Sequence, residues 1–179
     1  MTKITRLACT CSKVVLELSG DPMISAECHC DSCRAGSTTL QALAGSPTFM
    51  EPNGGTHYVL YRKDRVSFKQ GSEYLEQFRL KGDSPSRRVL ATCCNTPVFL
   101  EFEKAHWLSL YACMWPDRSA PAAEERTMIS DMPDSSVLLD DIPNMKHQSL
   151  TFYRKLLGAW IMMGFKVPKV NVAQADHRF

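Results

Sequence analysis

Apolar and polar side chains alternate, or β-branched residues cluster, in seven short runs through the first two thirds of the chain. The runs are Val14 to Leu18, Tyr58 to Tyr61, Arg65 to Lys69, Tyr74 to Leu80, Arg87 to Thr92, Val98 to Phe102 and Trp107 to Ala112. A repeat of two residues puts successive side chains on opposite faces, so each run predicts a strand. Ser19-Gly20-Asp21-Pro22, Pro52-Asn53-Gly54-Gly55, Lys81-Gly82-Asp83-Ser84-Pro85 and Thr96-Pro97 lie between runs and supply the positive or fixed φ of tight reversals. Short strands joined by such turns predict an antiparallel, mainly β body.

The pattern changes after Pro116. Residues 116–144 are rich in Pro, Ala, Asp, Glu and Ser, which predicts an exposed connection with one short helix at Ala120 to Met128. Beyond it Tyr153, Leu156, Leu157, Trp160, Ile161 and Gly164 recur at helical spacing, with Ser149 as N-cap and Arg154 and Lys155 opposite. We expect a C-terminal amphipathic helix lying as a lid on the sheet. The expected organisation is a β domain over residues 1–115, with residues 116–179 forming the connection and the helix on that same domain.

Composition narrows the function. With 179 residues the chain is long enough for a real core, and 21 Lys and Arg against 19 Asp and Glu give a net charge of +2, so no nucleic-acid partner is expected. The longest nearly unbroken apolar stretch, Leu156 to Phe165, is well short of the ~20 residues that span a bilayer. Met1 to Lys13 lacks the apolar segment of a secretory signal, so the expected compartment is the cytoplasm, where thiols stay reduced. Neither a P-loop nor a glycine-rich dinucleotide fingerprint occurs.

In that setting the cysteines carry the chemistry. Seven of the eight fall into three clusters, Cys9-Thr10-Cys11, Cys28-His29-Cys30-Asp31-Ser32-Cys33 and Cys93-Cys94. Closely spaced thiolates are soft ligands, and zinc is the metal expected. Cys28, Cys30 and Cys33 leave a tetrahedral ion one ligand short unless His29 or a distant residue closes it. Such a vacancy is where a small-molecule thiol would bind and lose its proton. Arg34 offers a fork for a substrate carboxylate, and Asp31 and Ser32 offer supporting hydrogen bonds. Cys9 and Cys11 form half of a second, structural site that Cys93 and Cys94 complete from a distant strand. Cys113 stands alone and reads as a small apolar residue.

These residues resemble the glutathione-dependent formaldehyde-activating enzyme family, which also includes centromere protein V. The likeness is carried by an early C-x-C (Cys9, Cys11), a central C-H-C-x-x-C-R (Cys28, His29, Cys30, Cys33, Arg34) and a later pair before a turn and a strand (Cys93-Cys94-Asn95-Thr96-Pro97), over about residues 3–112. In the last motif, Ala91 replaces the family's first cysteine and Asn95 its glycine. Asparagine tolerates the left-handed backbone that the glycine would supply. The resemblance implies small antiparallel sheets in a β-tent, two zinc ions, and carbon–sulfur lyase activity joining formaldehyde reversibly to glutathione.

Three functions follow from these residues. The first is a zinc-dependent carbon–sulfur lyase for glutathione or another small-thiol adduct of an aldehyde. The second is a non-catalytic zinc module for a protein or small-thiol partner, with Trp115, Trp160 and the loop Asp131 to Asp141 as contact surface. The third is a thiol redox enzyme that uses Cys113.

Overall fold

The computed structural model describes residues 3–172. Ten strands and two α-helices follow in the order β1 (Ile4–Ala8), β2 (Val15–Ser19), β3 (Ile24–Cys28), α1 (Asp31–Gln41), β4 (Thr56–Arg62), β5 (Val66–Gln70), β6 (Leu75–Phe78), β7 (Ser86–Ala91), β8 (Thr96–Phe102), β9 (Trp107–Tyr111), β10 (Glu125–Thr127) and α2 (Leu150–Met162). All seven expected runs are strands, and the fold is mainly β. One antiparallel sheet has the order β1-β2-β5, and a larger one has the order β10-β3-β4-β9-β8-β7-β6. Within the larger sheet only β10 and β3 run parallel.

Period-two patterning divides the interior between the two faces of the larger sheet. From β4, Val59 and Tyr61 join Leu7, Leu16, Leu18 and Phe99 in a core shared with the smaller sheet. Tyr58 and Leu60 turn the other way, into a core with Ile24, Leu40 of α1 and Leu156 of α2. The larger sheet is therefore covered on one face by the smaller sheet and on the other by the helices.

Four elements lie outside the sequence expectations: β1, β3, α1 and β10. The expected helix at Ala120 to Met128 is replaced by β10. Its Glu125, Arg126 and Thr127 are all buried, and ion pairs with Glu27 and Asp141 compensate the Arg126 charge. Thr96-Pro97 is no turn but the start of β8. Its proline sits opposite Leu90, where the β7–β8 register shifts, and a bulge spares the ladder the N–H that proline lacks.

The C-terminal helix forms as expected, with Ser149 capping it by accepting the Phe152 N–H at 2.9 Å. Its inward face differs from the expected stripe. Leu156 and Ala159 are buried, whereas Tyr153, Leu157 and Ile161 are more than half exposed. His106 fixes the helix to the sheet, donating from Nε2 to the Leu156 carbonyl at 2.9 Å and stacking on Trp160 at 5.7 Å. Trp115, expected at a contact surface, is buried in the core instead. Among the described residues no helix is long and apolar enough to cross a membrane.

Candidate metal centres and pocket

The first cysteine group is built by two tight turns. Cys9 and Cys11 occupy the β1–β2 reversal, where Ser12 takes φ 60°, and Cys93 and Cys94 occupy the β7–β8 reversal, where Asn95 takes φ 53°. Asparagine thus supplies the left-handed turn expected of it. Thr10 N–H donates to Thr96 Oγ1 at 3.1 Å, joining the two turns. The sulfurs of Cys9 and Cys11 are 3.6 Å apart, those of Cys11 and Cys93 are 3.3 Å apart, and all four lie within 4.8 Å of one another. Burial pushes the Cys9 and Cys93 thiols up. At Cys94 burial works in the same sense, but hydrogen bonds from Thr96, the Cys11 backbone and Thr10 prevail and bring the thiol down to about 6.

The second group sits where β3 gives way to α1. Cys28 ends the strand, Cys30 is the N-cap of the helix, and Cys33 lies in its first turn. Cys30 Sγ accepts the Cys33 N–H at 3.4 Å, and the helix N-terminus favours negative charge at that sulfur. Cys28 and Cys30 sulfurs are 3.6 Å apart, and all three sulfurs lie within 4.8 Å of one another. Hydrogen bonds from Cys28 and Cys33, helped by the Arg88 charge, hold the Cys30 thiol far below its ordinary value, while Cys28 and Cys33 are pushed up. Both groups could hold a metal ion.

Among the described residues, no fourth His, Cys, Asp or Glu joins the central trio. His29 turns away from it, wholly buried, with Nε2 2.8 Å from Glu27 Oε1. Glu27 also accepts from Asn53 Nδ2 at 2.6 Å and pairs with Arg126 at 3.4 Å, and Arg126 pairs in turn with Asp141 at 2.8 Å. Burial raises the cost of the Glu27 charge, yet hydrogen bonds from His29 and Asn53 hold its carboxyl below the usual range. His29 N–H donates to the Thr127 carbonyl at 3.0 Å, so β10 clamps the cysteine loop from outside. Gly55 must lack a side chain, because a Cβ there would collide with Glu27 and His29.

Arg34 is not brought into the pocket wall. Its guanidinium donates to the Asp131 carbonyl at 3.0 Å and lies 3.7 Å from Asp31. Ser32 accepts from Arg88, which donates to its carbonyl at 2.5 Å and its hydroxyl at 3.1 Å. Cys113 donates to the Pro97 carbonyl at 3.8 Å, and burial pushes its thiol up to about 12, which disfavours a redox thiolate.

The trio opens into a cavity of about 510 Å³ between the larger sheet and α2. Leu60, Leu100, Trp107, Phe152, Leu156 and Trp160 line it, and Cys28, Cys30 and Cys33 form part of its wall. Small-molecule sites have this size and apolar character. Sequence reading missed both the pocket and Arg88, a fully buried cation whose guanidinium runs against Gly36 of α1. The available signal was an arginine on the buried side of a strand that continues Val89-Leu90-Ala91.

No curated protein matches the chain. A crystal structure of a Rhodobacter sphaeroides protein matches with TM-score 0.45 at 13% identity, covering 63% of this chain and 89% of that one. The model of the family described as glutathione-dependent formaldehyde-activating enzyme matches residues 5–126, from β1 through most of β10 and both cysteine groups. By its motifs, their convergence in space and this match, the chain belongs to the glutathione-dependent formaldehyde-activating enzyme family.

Proposed function

We propose that this protein is a zinc-dependent carbon–sulfur lyase that interconverts a small thiol and its aldehyde adduct at the pocket bordered by Cys28, Cys30 and Cys33. One observation carries the reading. Three thiols close enough to share an ion, with no fourth ligand in their group among the described residues, open into a cavity of small-molecule size. Three soft sulfurs suit a zinc ion that keeps a position for an incoming ligand, and Cys9, Cys11, Cys93 and Cys94 suit a closed structural ion. Zinc at the trio supplies a positive charge that stabilises the thiolate form of a bound thiol.

The chain's own groups support that chemistry. The α1 N-terminus and the buried Arg88 offset the negative charge of the cysteines. The Glu27, His29 and Arg126 network holds the loop in register, and the apolar wall keeps water from the adduct. In the cleavage direction the carbon–sulfur bond of the hydroxyalkyl adduct breaks, its hydroxyl becomes the aldehyde carbonyl, and the hydroxyl proton ends on the released thiol. All eight cysteines are free, in keeping with a reducing compartment such as the cytoplasm.

The test is zinc content by elemental analysis, together with the rate of adduct formation from formaldehyde and thiols, for the wild type and Cys30→Ser. The expected result is two zinc ions falling to one, and a rate above the spontaneous one that the variant loses. Unchanged zinc content in the variant, or no rate above background with any thiol, refutes the proposal.

A second reading, a non-catalytic zinc module for a protein partner, is favoured by one feature. Leu150, Tyr153, Leu157 and Ile161 form an exposed apolar stripe along α2. Zinc-loaded protein that turns over no adduct, yet associates in a way that Leu157→Glu abolishes, would support it.

A further inference from the structure

We infer that the thiol taken by this site has an uncharged, apolar body, of the bulk of a benzyl or short alkyl group, in preference to a charged tripeptide such as glutathione. The inference rests on the proposed thiol-binding role of the cysteine trio and specifies what the rest of the pocket accepts. A ligand whose sulfur lies at Cys28, Cys30 and Cys33 has its body in the cavity, whose wall is formed largely by Leu60, Leu100, Trp107, Phe152, Leu156 and Trp160.

The charges needed for glutathione are missing from that wall. Among its residues the ordinary charged side chains are Glu103 and Lys104, both exposed, and Glu103 is already engaged by Arg79 at 3.2 Å. His106 offers no cation, because its Nε2 proton is held by the Leu156 carbonyl and burial lowers its basicity. Arg34 is turned to Asp131, and Arg88, whose Nη2 is held by Ser32 while Nε and Nη1 are buried without partners, does not line the cavity.

Glutathione carries two carboxylates and an ammonium group. Seating it here would strip water from two anions against a single exposed lysine, a cost that exceeds the gain from its contacts. An apolar body instead gains from each patch of wall it removes from water. The wall's polar groups, Ser109, Thr127, Gln148 and the unpartnered indole N–H of Trp160, suit a neutral oxygen such as that of an aldehyde adduct.

The experiment titrates cobalt-substituted protein with benzyl mercaptan and, separately, with glutathione. The cobalt–thiolate absorption band reports sulfur binding, and tryptophan fluorescence reports filling of the pocket through Trp107 and Trp160. We expect benzyl mercaptan to half-saturate both signals at a concentration at least about tenfold below that of glutathione. Glutathione saturating the cobalt band at an equal or lower concentration overturns the inference and leaves the thiol-binding site standing. A cobalt band indifferent to both thiols overturns the thiol-binding site, and the inference with it. Phe102→Arg provides a second arm, since Phe102 lines the pocket yet is 41% exposed and tolerates a charge. The added cation is expected to narrow the preference at least about threefold. An unchanged ratio counts against the inference.

Discussion

Replacing Cys11 by serine tests whether the first cysteine group binds metal as a structural clamp. Cys11 is exposed, so the substitution removes no core packing, and in metal-free protein its cost should stay within about 0.5 kcal/mol. In loaded protein the situation differs. An ion shared by Cys11 and Cys93 closes a loop between residues 82 positions apart, and the chain-entropy relation for a cross-link of that span gives about 4–5 kcal/mol. That figure is a ceiling, because thiols of the unfolded chain also bind zinc and the three remaining sulfurs retain part of the affinity. At this chain length each kcal/mol moves the thermal midpoint by about 2–4 °C, so the ceiling corresponds to a shift of about 8–20 °C. The assay is urea unfolding of wild type and Cys11→Ser, each metal-free and each in a zinc buffer that keeps the wild type loaded. The two proteins are expected to differ greatly in stability in zinc and hardly at all without it. Equal stability of the two proteins in zinc, or an equal loss in the metal-free pair, would refute it.

Ser149→Ala removes the N-cap of α2 and should cost about 1 kcal/mol, read as a lower urea midpoint with unchanged slope; no change would mean the cap contributes nothing. Glu101→Gln leaves Lys63 and Arg87, each 2.5 Å from the carboxylate in a largely buried triad, without a counter-charge. A loss of about 3–5 kcal/mol is expected, and a loss below about 1 kcal/mol would show the triad to be solvated. His57 and His106 are held below their usual value of 6.5 by burial, so the unfolded chain takes up more protons as the pH falls through that value. Stability of metal-free protein should therefore fall as the pH drops through 6.5 toward the lowered folded values; a flat or rising urea midpoint there would contradict the assignment. Glu27, whose folded value is lowered, adds stability above about 4.5 that is lost as the pH falls through that lowered value, and Glu27→Gln should remove this acid limb.

The sequence was most legible where one physical signal dominated. β4 and β7 to β9 carry apolar runs such as Tyr58 to Tyr61, Val89 to Ala91 and Val98 to Leu100 because each separates two cores, and α2 has both periodicity and an N-cap. β3 was hidden because its alternation, Ile24-Ser25-Ala26-Glu27-Cys28, contains a single large apolar side chain and buries the polar Ser25 and Glu27 as well. α1 was hidden for another reason. Its inward face is Cys33, Gly36, Ser37 and Leu40, at helical spacing but too small and polar to register as an apolar stripe. Gly36 is small because Arg88 passes against it, a constraint set by a strand more than fifty residues away. β10 is an extreme case, since its burial depends on Glu27, Asp141 and Asn144, which only the folded chain brings together. Spacing alone placed the sulfurs close together within each cysteine cluster, whereas the meeting of Cys9 and Cys11 with Cys93 and Cys94, 82 positions on from Cys11 to Cys93, depends on the fold. So does the pocket, since its wall is drawn from β4, β8, β9 and α2.

The parallel pairing of β10 with β3 has a consequence for biogenesis. As the nascent chain leaves the ribosome, Cys28, Cys30 and Cys33 emerge early, at the end of a strand whose outer edge is still open. The segment that covers that edge follows about a hundred residues later, as the contact of Ser25 with Glu124 across 99 positions shows. The trio can therefore meet cellular metal before its loop is braced, and ribosome-stalled chains ending on either side of Glu125 should differ in how readily they surrender a bound ion to a competing chelator.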